Sequence, residues 1–157
     1  MDTTATAILS GEAYPPGYDD YSHIIGAALL PFARCPRTGI CFFLLARERE
    51  FPIWHGANLW THFGGTRRRS ESAEQCAARE FIEESLGMVR YHSRDDTMPL
   101  SVAKDGRGIA SSLVRGEYAY KYVHLQDGMP RYVVFIREVP WDASCVLRFR
   151  SVRSIML

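Results

Sequence analysis

The stretch from Gly64 to Gly87 constrains the fold of this chain more than any other part of the sequence. It reads GGTRRRSESAEQCAAREFIEESLG, a tandem glycine and an arginine run followed by a segment of Ala, Glu and apolar residues. Ser72 with Gln75 three residues later is the capping-box pattern of a helix start, and Gly87 is typical of a helix stop. Tandem glycine permits a tight turn that side chains would obstruct. The sequence therefore predicts a glycine turn that leads directly into a helix.

Three carboxylates share one face of this predicted helix. Glu80, Glu83 and Glu84 are spaced i, i+3 and i+4, so they are neighbours on the helix surface, whereas Phe81 and Ile82 point toward a core. Like charges at this spacing repel one another and raise some of their pKa values unless a cation lies among them. Carboxylate oxygens are hard ligands that suit Mg²⁺ or Mn²⁺. The alternative is a solvated acidic helix face, which is what most Glu-rich stretches are.

The spacing of the fixed residues favours the functional interpretation. The pattern G-x5-E-x7-R-E-F-x-E-E, which begins at Gly65 and ends at Glu84, resembles the Nudix box. Six fixed residue types of average abundance coincide by chance at roughly one in ten million per starting position. One departure is that two residues, Ser85 and Leu86, precede the closing Gly87, where the family usually has one. The extra residue lies downstream of the carboxylates, so it affects the helix exit and not their relative placement.

The resemblance implies a Nudix hydrolase, a family that cleaves nucleoside diphosphates linked to another group and uses divalent cations. The metal ligands that it implies are the backbone carbonyl of Gly65 and the carboxylates of Glu80, Glu83 and Glu84. It also makes Arg79 and Glu71 the pair that orients the site, and it gives Glu83 and Glu84 a catalytic role. The expected cofactor is Mg²⁺ or Mn²⁺.

The general base of the expected reaction is not fixed by the pattern. It is either one of the box glutamates or an acid further along the chain, such as Glu117 or Asp127. Glu117 is placed first because it borders a long polar segment and the start of a predicted strand.

Charge gives little information at the level of the whole chain. The 19 Lys and Arg nearly balance the 18 Asp and Glu, so any attraction for phosphate must be local. Three consecutive arginines, Arg67, Arg68 and Arg69, lie between the glycine turn and the helix. Phosphate binding by one of them competes with a solvated loop that pairs with nearby acids. We expect a small nucleotide or other diphosphate as substrate, and the near-neutral charge argues against capped RNA without excluding it.

Short apolar runs around this stretch predict a mixed β-sheet. The predicted strands are residues 23–32, 40–46, 117–125 and 131–139, and the first two are expected to be paired and buried. Asp127-Gly128 between the last two predicts a hairpin. Residues 146–155 have a helical period, and we expect this helix to cover the sheet face opposite the box helix. The prediction is an α/β fold, an α/β/α sandwich with a mixed sheet, which the resemblance also implies.

Length and hydrophobic content predict one globular domain. The chain has 157 residues and 46% hydrophobic content. Residues 1–22 are predicted to be a flexible lead-in, and residues 23–157 a single domain. Residues 93–116 are polar and broken by Pro99 and Gly106, so they predict a long loop and a candidate element for substrate choice. The sequence shows no signal peptide and no membrane span, and we expect a cytoplasmic protein.

The resulting hypothesis is an enzyme acting on acid anhydrides. It would hydrolyse a pyrophosphate bond in a nucleoside triphosphate or nucleotide conjugate with the help of a metal ion. Decapping of mRNA and hydrolysis of an inositol pyrophosphate are alternatives among enzymes. A catalytically silent nucleotide-binding or regulatory module with the same fold is the alternative outside enzymes. Loss of a box glutamate would favour that module, and none is lost. The oligomeric state stays open.

Overall fold

The computed structural model describes residues 23–48, 57–91 and 99–155. The lead-in over residues 1–22 and part of the expected loop, residues 93–98, lie outside the described residues. In chain order the elements are β1 (Gly26–Arg34), β2 (Cys41–Phe43), β3 (Ala46–Arg47), β4 (Trp60–Thr61), β5 (Phe63–Thr66), α1 (Ala73–Glu84), α2 (Val102–Val114), β6 (Tyr120–Gln126), β7 (Met129–Glu138) and α3 (Cys145–Ile155).

A mixed sheet lies at the centre of the described structure. β1 runs parallel to β7 and antiparallel to β2 and β5, while β6 is antiparallel to β7. β3 and β4 pair separately as a short two-stranded sheet. Ala27, Ala28 and Leu29 of β1 are fully buried, as expected of a central strand that is covered on both faces. The predicted α/β class with a mixed sheet is confirmed.

The helix α1 begins where the sequence predicted, but the prediction of a turn at the tandem glycine is wrong, because Gly64 and Gly65 lie in β5 and pair with β1. The Ser72 hydroxyl accepts from the Gln75 N–H at 3.2 Å, and the Gln75 side chain accepts from the Ser72 N–H at 2.8 Å, which completes the capping box. Phe81 is fully buried among the core residues that α1 shares with β1 and β5. The helix ends at Glu84, and the extra residue is accommodated in the exit, where Leu86 and Gly87 both have left-handed backbones (φ 52° and 67°).

The prediction of a loop over residues 93–116 is wrong for residues 102–114, which form α2. The Ser101 hydroxyl caps this helix by accepting from the Lys104 N–H at 3.2 Å. Ile109 and Leu113, one helical turn apart, are buried, and α2 packs against α1. Two internal glycines lower the helix propensity of this segment, but packing of an apolar face supplies the stability that propensity lacks.

Two strand predictions have different outcomes. β2 pairs with β1 as predicted, but the expectation that it is buried is wrong, because β2 lies at the edge of the sheet and all three of its residues are exposed. The hairpin between β6 and β7 is confirmed. Asp127 and Gly128 both have positive φ, 53° and 75°, which is the backbone that a two-residue hairpin turn requires.

The C-terminal helix α3 forms where the sequence predicted, and its expected place on the sheet face opposite α1 stays a prediction. Arg148 of α3 donates to the carbonyl of Met88 at 3.0 Å and pairs with Asp142 at 2.5 Å. The beginning of α3 is therefore tied to the segment that follows α1. In the part of the chain that the structure describes, no helix is both long and apolar enough to cross a membrane.

Candidate functional site

Arg79 is the buried centre of the candidate site, with 5% of its surface exposed. Its guanidinium pairs with both oxygens of Glu71, from Nε at 2.6 Å and from Nη2 at 3.0 Å. Nη1 donates to Glu80 at 2.6 Å and to Glu83 at 3.0 Å, and Nη2 also donates to the carbonyl of Thr66 at 3.1 Å. One buried cation thus holds three of the four carboxylates that the sequence pattern singled out.

These contacts shift the pKa values of both members of the orienting pair. Hydrogen bonding from Arg79 holds the pKa of Glu71 below its usual value. Hydrogen bonds to Glu71 first, and then to Glu80 and Glu83, raise the pKa of Arg79 against the opposing effect of burial. Arg79 therefore stays charged and Glu71 stays ionised at neutral pH. Their fixed charges keep this part of the site in one arrangement.

Glu84, the fourth carboxylate, is held separately at the tandem glycine of β5. The backbone N–H of Gly64 donates to Oε2 of Glu84 at 2.8 Å. Burial raises the pKa of Glu84 to about 7, and the charges of Glu80, Glu48 and Glu83 add to the shift. A carboxylate that is buried among other carboxylates gains free energy from a nearby cation.

Gly65 lies directly against Glu80. A Cβ atom at Gly65 would lie 2.5 Å from Oε1 of Glu80, so the carboxylate as placed lies directly against the backbone of this glycine. The thiol of Cys76 also approaches the carbonyl oxygen of Gly65 at 3.6 Å. The residue whose carbonyl is an expected metal ligand is therefore a direct neighbour of an expected carboxylate ligand.

The donor chemistry of these residues fits a hard divalent cation. The candidate donors are all oxygens: the Gly65 carbonyl and the carboxylates of Glu80, Glu83 and Glu84. Among the residues that the structure describes, no three Asp, Glu, His or Cys side chains are grouped closely enough to hold one ion as they stand. The hydrogen bonds of these carboxylates explain part of their separation. Arg79 donates to Glu80 and Glu83, whereas Glu84 accepts from the Gly64 N–H.

The three arginines between β5 and α1 have different environments. Arg67 is half-buried and donates to the backbone carbonyls of Ile24 and Glu71 at 2.8 and 2.6 Å. Arg68 is exposed over 63% of its side chain and reaches Glu83 only at 3.5 Å. Arg69 is exposed as well. Arg68 and Arg69 are therefore the two members of the run that a phosphate in solvent can reach.

Glu117 lies in a different set of ion pairs. It follows α2 and pairs with Arg115 at 2.7 Å and with Arg137 at 3.5 Å. The hydrogen bond from Arg115 lowers the pKa of Glu117. Asp127, the other downstream acid, lies in the turn between β6 and β7. Within the described part of the chain, no recorded contact joins Glu117 to the carboxylates of α1, and its role as general base stays a prediction.

Tyr132 is a neighbour of the tandem glycine of β5 that sequence reasoning missed. It lies on β7, and its ring covers Gly26 of β1, where a Cβ atom would lie 2.6 Å from ring atom Cε2. Its hydroxyl reaches Gly64 of β5, where a Cβ atom would lie 2.5 Å from Oη. The ring of His62 stacks on Tyr132 with centroids 5.6 Å apart and an interplanar angle of 22°. Burial raises the pKa of the Tyr132 hydroxyl, and the charges of Cys76 and Glu84 add to this.

Glu48 is a second neighbour that the sequence did not indicate. Its backbone N–H donates to the Leu59 carbonyl at 3.0 Å beside the small β3–β4 sheet, and its charge acts on both Glu84 and Tyr132. No local spacing in the sequence connects Glu48 or Tyr132 to the pattern between Gly65 and Glu84. Only the pairing of distant strands brings them together, and that signal is not readable from one sequence.

No protein-family model and no curated protein matches the chain significantly. Two solved structures are similar to it at low identity. RenU, a Nudix hydrolase from M. smegmatis, is 16% identical with a TM-score of 0.41, over 85% of this chain and 86% of that one. An Ap4A hydrolase from C. elegans, solved as a binary complex, is 14% identical with a TM-score of 0.40, over 75% and 68% of the two chains. Similarity at this level decides neither the substrate nor the metal of this chain.

Proposed function

We propose that this chain is a Nudix-type hydrolase that cleaves a pyrophosphate bond in a nucleoside triphosphate or another nucleotide conjugate. One observation carries the proposal. The buried Arg79 gathers Glu71, Glu80 and Glu83 next to Gly65, so the residues of the sequence pattern meet in one place. A solvated acidic helix face would not have a buried guanidinium at its centre.

The proposed site divides the work among these residues. Mg²⁺ or Mn²⁺, held by the oxygens of Gly65, Glu80, Glu83 and Glu84, would supply positive charge against phosphate oxygens and lower the pKa of a bound water. Arg79 and Glu71 keep the carboxylates oriented, because the bidentate pair fixes the guanidinium on the helix. Arg68 and Arg69 are exposed in the segment between β5 and α1, where they can contact the phosphates.

The general base is proposed to be one of the box glutamates, with Glu117 and Asp127 as the downstream candidates. Glu117 would have to act from its ion pairs with Arg115 and Arg137. A pH profile of turnover for Glu117→Gln separates these options, since loss of the general base removes the limb of the profile that reports its ionisation.

A hydrolysis screen with matched variants tests the proposal. Wild type, Glu83→Gln and Glu74→Gln are compared on nucleoside triphosphates, nucleotide conjugates, an inositol pyrophosphate and capped RNA, with magnesium or manganese. Glu74 lies in the first turn of the same helix and outside the pattern, so it is the control for the same chemical change. We expect Glu83→Gln to lower turnover by roughly a hundredfold or more, and Glu74→Gln to change it less than about threefold.

Two results would contradict the proposal. Equal turnover by wild type and Glu83→Gln would remove this carboxylate from the reaction. Nucleotide binding without cleavage of any substrate would indicate a silent binding module instead. Cleavage restricted to capped RNA or to an inositol pyrophosphate would support the proposed hydrolysis and contradict the proposed substrate.

A further inference from the structure

We propose that Tyr132 is a positioning residue of the candidate site, which holds the Gly64 amide in the place where it binds Glu84. Tyr132 lies outside the Nudix box, and its proposed role shares with the proposed function only the assumption that Glu84 belongs to the site. Three sets of contacts support this role.

The first set of contacts packs the Tyr132 ring against the backbones of two neighbouring strands, β1 and β5. In the parallel pairing of β1 and β7, Tyr132 is opposite Gly26, and in the antiparallel pairing of β1 and β5, Gly64 is opposite Ala28. Cβ atoms at Gly26 and Gly64 would lie 2.6 and 2.5 Å from Tyr132, which is closer than the 3.0 Å that real Cβ atoms keep. The tyrosine ring therefore lies across β1 and reaches β5 only because both positions are glycine.

The second is the packing of His62 on the same ring. His62 lies two residues before Gly64, and residues two apart on an extended chain point to the same side of a sheet. Its imidazole stacks on the ring of Tyr132 at 5.6 Å, nearly parallel. The Tyr132 ring is thus restrained both by the backbone of the sheet and by an aromatic neighbour.

The third set of contacts is at Gly64, whose N–H donates to Glu84 and whose backbone packs against Tyr132. Gly64 and Gly65 lie in the short strand β5, where they pair with β1, but they have no side chains that would restrict their backbone further. The Gly64 N–H donates to Glu84 at 2.8 Å, and the Tyr132 hydroxyl lies against the same residue without using that N–H. Contact with Tyr132 therefore limits the motion of the donor that holds Glu84, and also of Gly65 beside Glu80.

Amide hydrogen exchange at Gly64, measured by NMR on the metal-free protein, tests this role directly. Tyr132→Leu removes the ring that extends to Gly64, and Tyr132→Phe keeps the ring and removes only the hydroxyl. We expect exchange of the Gly64 amide to rise by about tenfold or more in the leucine variant and by about threefold in the phenylalanine variant. Ile136→Ala is the control, because Ile136 lies on the same strand and the same side of the sheet, two rows beyond the pairs that hold Gly64.

Unchanged exchange at Gly64 in the phenylalanine variant and in any folded leucine variant would overturn the proposal. An equal rise in Ile136→Ala would also overturn it, because it would indicate general loosening of the sheet. Because exchange needs no turnover, this result is separate from the fate of the proposed hydrolase activity. Where hydrolysis is measured, Tyr132→Leu should lower kcat by about tenfold or more with KM changed less than about threefold. A rise in KM alone would indicate a substrate contact and contradict a positioning role.

Discussion

Arg79 is a buried cation whose stability depends on the carboxylates around it. Its side chain is 6% exposed, and those of Glu71 and Glu80 are 14% exposed. Removing one member of a buried ionic cluster is costly, because the remaining charges lose their partner and cannot recover full hydration. The site is therefore coupled to the stability of the fold at this residue.

Arg79→Ala should lower the free energy of unfolding by roughly 3 kcal/mol or more, because it leaves several carboxylates without their cation. Urea denaturation of wild type and variant measures the change. Arg68→Ala is the control, since Arg68 is largely exposed and approaches Glu83 only at 3.5 Å. We expect it to cost less than about 1 kcal/mol. Equal losses in the two variants would contradict the central place of Arg79.

Asp142 should make stability depend on acid pH. Hydrogen bonds from Arg148 first, and then from Ser144, hold the pKa of Asp142 far below its usual value. Because the folded pKa is below the unfolded value of about 4, the stabilisation is complete above that value and is lost as pH falls through the folded pKa. Asp142→Asn should therefore destabilise the protein at neutral pH, and its difference from wild type should shrink in acid. Urea titrations over this range test it, and a difference independent of pH would count against the pair.

The sequence located only part of the site at this scale. The approach of Arg79 to Glu80 and Glu83 was predictable, because a helix fixes their relative positions from spacing alone, and the pairing with Glu71 was expected from the resemblance. Tyr132 and Glu48 were not, because their approach to Glu84 is made by strand pairing between distant segments. The stacking of His62 on Tyr132 was not predictable for the same reason.

At the scale of elements, α1 and α2 show when local signals are sufficient. The start of α1 was predictable because its capping box, apolar face and acidic face all agree. α2 was not, because Gly106 and Gly108 weaken its propensity and its stability comes from packing Ile109 and Leu113 against α1. The chain thus has a second helix where the sequence indicated an open loop.

The exit from α1 should be sensitive to any side chain at Gly87. Gly87 has φ 67°, and a Cβ atom there would meet the backbone of Leu100, with the amide nitrogen 2.7 Å away. Gly116 is the control, because it has φ 77° and open space around it. Both alanine substitutions carry the left-handed penalty of about 1 kcal/mol, and Gly87→Ala should cost at least about 1 kcal/mol more. Equal losses of unfolding free energy would contradict close packing of the α1 exit against Leu100.

At the scale of the whole molecule, the candidate site joins segments that are far apart in the sequence. The strand β5 with its tandem glycine, the helix α1 and the strand β7 meet around Gly64 and Glu84. The chain as a whole carries a net charge of only +1, so its overall field offers little attraction to a phosphorylated substrate. We therefore expect substrate binding to depend on a bound cation, with local help from the exposed arginines Arg68 and Arg69.

Mn²⁺ binding to the metal-free protein, followed by the EPR signal of the free ion, tests the proposed metal site most directly. The comparison is between wild type, the triple variant Glu80→Gln/Glu83→Gln/Glu84→Gln, and Glu74→Gln on the same helix. We expect saturable binding by wild type and by Glu74→Gln, and little or none by the triple variant, because its amide oxygens carry no charge. Equal binding by wild type and the triple variant, or no binding by wild type at about millimolar Mn²⁺, would contradict a divalent cation site on this helix.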